Sequence, residues 1–431
     1  MRLPAYSLAQ WLAPLSVALL GLGLSGASIA KTIDVGDGAN LQSAIASAAS
    51  GDVIRLKSGE YAGNIVIDKP LVIEGPADRS ANIIGTRRGR TMWVQAPDVT
   101  IRNITVKNSG LSLSEMDAGI FLDKPAHRAR IERNDVLDNS VGIYVWGPHD
   151  AIVQNNRIVG NTDLRVAERG NGVTLWNTPG TSVIGNDISK GRDGIFVNAS
   201  KHNIFRGNRF SDLRYAVHYM YTNDSEVSEN VSVGNDIGYA IMFSNKLVIK
   251  DNISIKSHDQ GLMLNYANNS TITGNVVEGG EKCVFIYNAN QNLFDGNHFQ
   301  DCAIGIHFTA GSEGNHMSNN AFVNNRNQVK YVGTRYLDWS RNGRGNYWSD
   351  NTAFDLDGNG IADTAYRPND VIDQVIWRAP SARVLLNSPA VSIVRWAQSQ
   401  FPAILPGGVV DSAPLMEAPA LQTLKKYKDL P

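Results

Sequence analysis

Between Ile131 and Val323 the chain repeats a phrase in which aliphatic residues lead into an asparagine and further apolar residues follow it. The asparagine falls at Asn134, Asn156, Asn186, Asn208, Asn230, Asn252, Asn275, Asn297 and Asn320. Most steps between copies are about 22 residues, the signature of a stacked repeat. A second phrase of small residue, aliphatic, any, aliphatic keeps pace with it, starting at Gly119, Gly142, Gly172, Gly194, Ala216, Gly238, Gly261, Cys283 and Gly305. Inside that phrase apolar positions alternate, as at Ile195 and Val197 or Ile306 and Phe308, which is the period of a strand with one buried face. No helical period runs through the region. Short strands, Gly and Asn at corners and no helix per repeat predict an all-β fold, a right-handed parallel β-helix rather than a leucine-rich horseshoe. Asn suits the bends because it tolerates left-handed backbone angles and its side chain bonds nearby main chain or stacks in a ladder. The repeated asparagines therefore read as structural.

The same patterning divides the chain. Residues 1–30 read as a signal peptide: Arg2, an apolar stretch from Leu12 to Leu24, then Ser28 and Ala30 spaced for cleavage, with Lys31 as the mature start. Residues 31–50 form an N-terminal cap around an amphipathic helix from Asn40 to Ser50, with Leu41, Ala44, Ile45 and Ala48 on one side. The β-helix spans 51–345. Two coils carry extra residues at one point of the repeat, near Ser109 to Asp117 and Asn161 to Arg169, so both insertions are expected on one side. Residues 346–387 are a calcium-type loop and cap, and 388–431 a Pro-rich docking tail. The tail holds a predicted helix from Val391 to Phe401, with Val391, Val394 and Phe401 in one stripe and Trp396 beside it. Docking to a partner and folding back on the stack are both compatible with that stripe.

Charge and cysteine content narrow the class. The net charge of −1 becomes −2 once Arg2 leaves with the signal, and neither value favours nucleic acid. Two cysteines, Cys283 and Cys302, are too few for a disulfide-stapled domain. Their coils bring them near each other, and two small buried residues are expected in preference to a disulfide.

Three groups of residues carry chemistry. The alternation that buries Val217 and Tyr219 sends His218 and Met220 outward. Met242 falls one coil on at the register of Met220, and Met263 and His307 fall at the register of His218. Thioethers and imidazoles without thiolates suit Cu(I), whereas Zn(II) wants harder or anionic ligands. The same register also holds Tyr144, Trp146, Trp176, Phe196, Phe285 and Tyr287, so an apolar stripe covered by a partner is the competing reading. A second group, His149, Asp150 and Arg169, suggests acid–base chemistry on a polyuronate, because Gly147-Pro148-His149-Asp150 resembles a stretch of periplasmic alginate epimerases. The resemblance lacks that motif's first Asp, and no carboxylate pair suits glycoside cleavage. The third group is an acidic loop. Asp355, Asp357 and Asn359 alternate, Gly360 gives the turn, Ile361 offers a carbonyl and Asp363 follows, as in a calcium loop. Tyr366 stands where the twelfth-position Glu belongs, so a further ligand would come from Asp370 or Asp373.

The signal, the Asn-punctuated coils, Gly345-Asn346-Tyr347-Trp348-Ser349-Asp350 and the following run from Asp355 to Asp363 together resemble the NosD family, periplasmic copper-site maturation proteins of nitrous oxide reductase. The resemblance covers essentially the whole chain and is most specific from Gly345 to Tyr366. It implies a non-enzymatic β-helix mounted on an ABC-type membrane permease with its ATPase. Copper would arrive from a chaperone lipoprotein and pass to nitrous oxide reductase. It supplies no catalytic residues. It makes the Met/His patch a transient Cu(I) site and gives the tail a membrane partner to dock on.

Overall fold

The structure, a computed structural model, describes residues 30–309, 311–333, 335–368, 372, 375, 379–385, 388–401 and 408–428. The signal-peptide expectation, Ala30 apart, and the Asp370 and Asp373 alternatives lie outside these residues.

From Lys31 onward the chain winds into a parallel β-solenoid. A 13-stranded sheet begins with Thr32–Val35 against Val53–Leu56 and ends at His316–Ser318. Each strand pairs in parallel with its counterpart one coil away. The stack thus starts inside the segment expected to be only a cap, and it continues past 345, since Tyr347–Trp348 pairs with Ala321–Val323. The capping helix is Leu41–Ser47. Asn40 caps it by accepting from the Ser43 amide at 3.0 Å, and Leu41 and Ile45 are buried.

Inward-facing aliphatic and aromatic side chains fill one continuous core along the axis. The small position of each coil is small because the next coil crosses it: a Cβ on Gly194 would meet Ala216 O of the next coil at 2.5 Å, and the Phe210 ring of its own coil at the same distance. The asparagines form a buried ladder. Asn230 donates its amide to Phe205 O and Asn252 Oδ1, both at 2.9 Å, while its own Oδ1 accepts from the Asn208 backbone at 2.9 Å. Left-handed backbone sits one residue earlier than expected, at Arg133, Asn155, Glu229 and Asp251 for example, so the ladder asparagines are there for their amides rather than for their backbone tolerance. The ladder runs on to Asn346, which donates to Asp411 Oδ2 through its backbone at 2.6 Å and its side chain at 3.2 Å.

One expectation needs correction. Cys283 and Cys302 form a disulfide, because Cys302 sits opposite Gly280 at a corner that brings its Cα to 5.7 Å from Cys283. The end of the docking tail packs on its own solenoid. Gly408–Val410 pairs with Tyr336–Asp338, and in the helix Gln422–Lys428 Leu424 and Tyr427 pack on Val231, Ile253 and Val276.

Candidate functional site

Strand pairing fixes where the predicted metal ligands stand. One outward ladder reads Phe196, His218, Ala240, Met263, Phe285, His307, Lys330 across successive strands. Two residues further along each strand a second ladder reads Trp176, Asn198, Met220, Met242, Asn265, Tyr287. Neighbouring strands lie roughly 4.8 Å apart, which sets Met220 directly against Met242. His218 and Met263 flank Ala240, whose methyl leaves room above it, with backbones roughly 10 Å apart. His307 does not join them. It lies four strands from His218, roughly 19 Å, with Phe285 between it and Met263.

Although the patch faces outward, its neighbours cover much of it. His218 is 8% and Met263 7% exposed, and Met220 and Met242 are half-buried. Ile237, Ala240 and Met263 form an apolar cluster with Tyr215, Met242 and Phe285 packed against it. The His218 ring lies 5.0 Å from both the Phe196 and Tyr215 rings.

Beneath His218 is a charged network that sequence reasoning overlooked. Asp193, 1% exposed, accepts from Arg214 Nε at 2.8 Å, Arg214 Nη2 at 2.6 Å and His218 Nδ1 at 2.9 Å. Burial alone would raise the Asp193 carboxyl, but the hydrogen bonds from His218 and Arg214 hold it below its ordinary value. His218 Nε2 is buried and makes no hydrogen bond among the described residues. The sequence signal was there: Arg214 and His218 follow Asp193 by 21 and 25 residues, close to one coil. His307 differs. Burial, reinforced by Lys330 and Lys282, pushes its imidazole down to about 4.

The rival acid–base set comes apart. His149 lies beyond the C-terminal end of Val141–Trp146, with Nδ1 2.7 Å from Asp150 Oδ2 and its ring stacked on His127 at 3.9 Å. Arg169 precedes the N-terminal end of the paired strand Val173–Trp176 and donates to Leu164 O at 2.8 Å and Lys190 O at 3.2 Å. A strand length of roughly 20 Å separates it from His149.

The acidic loop is closed on itself. Asp355 accepts from the Gly358, Asn359 and Gly360 amides, Asn359 Oδ1 from the Ile361 amide, and Asp363 from the Leu356 amide; Asp357 Oδ1 accepts from the Asn359 amide. Those amide bonds, Gly360 foremost, hold the Asp355 carboxyl below its usual value. Among the described residues no three or more His, Cys, Asp or Glu gather to hold a metal, so the calcium expectation gains no support. The tail helix is Pro389–Gln400, with Phe401 as its C-cap rather than its last turn. Val391 is buried, whereas Val394, Trp396 and Phe401 are exposed.

Comparison with known proteins gives a consistent result. The family described as "Periplasmic copper-binding protein (NosD)" matches residues 45–167 and 154–353. A "Probable ABC transporter binding protein NosD" of Stutzerimonas stutzeri is 39% identical over 390 residues, 87% of this chain and 89% of the relative. One of the same description from Pseudomonas aeruginosa is 41% identical over 381 residues, 85% of this chain and 89% of the relative. Both are named as binding proteins, not enzymes. Among solved structures, the A-module of the Azotobacter vinelandii mannuronan C-5 epimerase AlgE6 aligns over 68% of this chain and 89% of its own, at TM-score 0.47 and 14% identity.

Proposed function

The chain belongs to the NosD family of periplasmic copper-binding proteins, and we propose that it carries Cu(I) as cargo on the outer wall of its β-helix for assembly of the copper–sulfur centre of nitrous oxide reductase. The observation that carries this reading is the register that sets Met220 against Met242, with His218 and Met263 flanking Ala240 beside them. Thioethers and one imidazole form a soft, uncharged donor set, which favours Cu(I) and releases it more readily than thiolates would. His307 is left out of the set by distance. The relatives' description as ABC transporter binding proteins supports an ABC-type permease and its ATPase as the mount. A copper chaperone lipoprotein as donor and the reductase as acceptor complete the route. No helix among the described residues is long and apolar enough to cross a membrane, which fits a chain held at the inner membrane by its partner.

The test is Cu(I) titration of the mature chain followed at the Met methyl resonances. Shifts at Met220, Met242 and Met263, and loss of that uptake in the triple Leu variant with the fold retained, are expected. Unchanged copper stoichiometry in the triple variant would refute the site. The apolar packing around Met263 favours a second reading, a metal-free landing surface for the partner. Full reductase maturation by the triple variant would support it.

A further inference from the structure

The unpartnered nitrogen of His218 is the most anomalous polar atom near the patch. Buried donors and acceptors without a hydrogen bond are rare in folded proteins, and each one calls for a cause. Here the opposite face of the same ring is fixed. An ionised carboxylate only accepts, so the 2.9 Å contact between His218 Nδ1 and Asp193 Oδ2 places the ring proton on Nδ1. A neutral ring so held keeps its lone pair on Nε2. Asp193 cannot turn away, because Arg214 grips both its oxygens. The ring itself is wedged between Phe196 and Tyr215, and the next strand offers only the Ala240 methyl opposite it.

We propose that Asp193, locked by Arg214, is a positioning residue that holds His218 in the Nδ1–H tautomer so that Nε2 is presented as a preformed ligand to a soft metal ion beside Met263. The inference rests on the copper reading above and extends it to a residue outside the donor set. A carboxylate or carbonyl behind a metal-binding imidazole fixes its tautomer and raises its basicity, and loss of such a partner typically costs about 10- to 100-fold in metal affinity.

Two measurements test it. In the metal-free wild-type chain, long-range 15N–1H correlation of the imidazoles should show His218 protonated at Nδ1 and bare at Nε2; a proton on Nε2 would overturn the proposal without any variant. In competition titrations with a Cu(I) chelator, Asp193→Ala should weaken binding about 10- to 100-fold. Asp193→Asn, whose NH2 can donate to Nδ1 and so leave the ring proton on Nε2, should not restore it and should move that proton in the same correlation spectrum. Wild-type copper uptake that neither substitution changes would overturn the role of Asp193 and leave the site standing. No uptake by the wild type would overturn the copper reading and this inference with it.

Discussion

Acidification should weaken the stack at one identifiable place. His307 is held at about 4 in the folded chain, against about 6.5 for a free imidazole, because its ring is half-buried beside Lys330 and Lys282. Its folded value is lowered, so the unfolded chain binds the proton first. The stability linked to this group is fully present above pH 6.5 and is lost as pH falls toward 4. Linkage over that interval amounts to about 2–3 kcal/mol between pH 7.5 and 4.5, at the lower end after allowing for partial exposure. The assay is urea unfolding followed by tryptophan fluorescence. Trp339 is buried 6.1 Å, ring to ring, from Phe308, the residue after His307, and so reports on this coil. Comparing the wild type with His307→Gln at each pH cancels the titration of every other group. The wild type should lose about 2 kcal/mol more than the variant between those limits. Parallel pH profiles for the two proteins would refute the reasoning.

Two further outcomes concern the ladder. Asn230→Ala removes the acceptor of the Asn208 amide and the donor to Phe205 O, both buried, and should cost about 2–5 kcal/mol; exchange protection of the Asn208 amide should fall first. An effect spread evenly along the chain would contradict a local ladder bond. Asp411→Ala strips the acceptor shared by the Asn346 amide, its side chain and Trp348 Nε1, and should cost about 3 kcal/mol with a red shift of Trp348 emission. Burial raises the Asp411 carboxyl, so Asp411→Asn, which keeps an oxygen and sheds the charge, should cost less, and an equal loss in both variants would count against the assignment.

Periodicity carried most of the fold. A 22-residue spacing of Asn and Gly fixes coil, strand and register together, because a one-residue slip would turn Val217 and Tyr219 out of the core and His218 into it. Hence Met220 against Met242 could be read from the text. Burial could not, since it depends on how the Phe196 and Phe285 rungs, and Tyr215 on the strand of His218, pack against the rungs beside them. Distance along the axis was legible as well: His307 shares the column of His218 but stands four copies of the repeat later, from Ala216 to Gly305, roughly 19 Å. The disulfide was not. Cys283 and Cys302 were legible as neighbours, but with one at the small position of its coil and the other just before the next they read as small core residues, and only the corner shows their Cα atoms 5.7 Å apart. Asp411 belongs to no repeat, and only the returning tail shows what it covers.

The return of that tail ties two distant stretches of text to one place. Thr423 Oγ1 donates to Asp251 Oδ1 at 3.1 Å across 172 residues, and Leu424 and Tyr427 rest on the windings that hold Val231, Ile253 and Val276. Those are the same windings whose other wall bears Met242 and Met263. A grip on the chain's end would therefore act like a hand on a strap, reaching the thioether rungs from behind by way of the backbone they share.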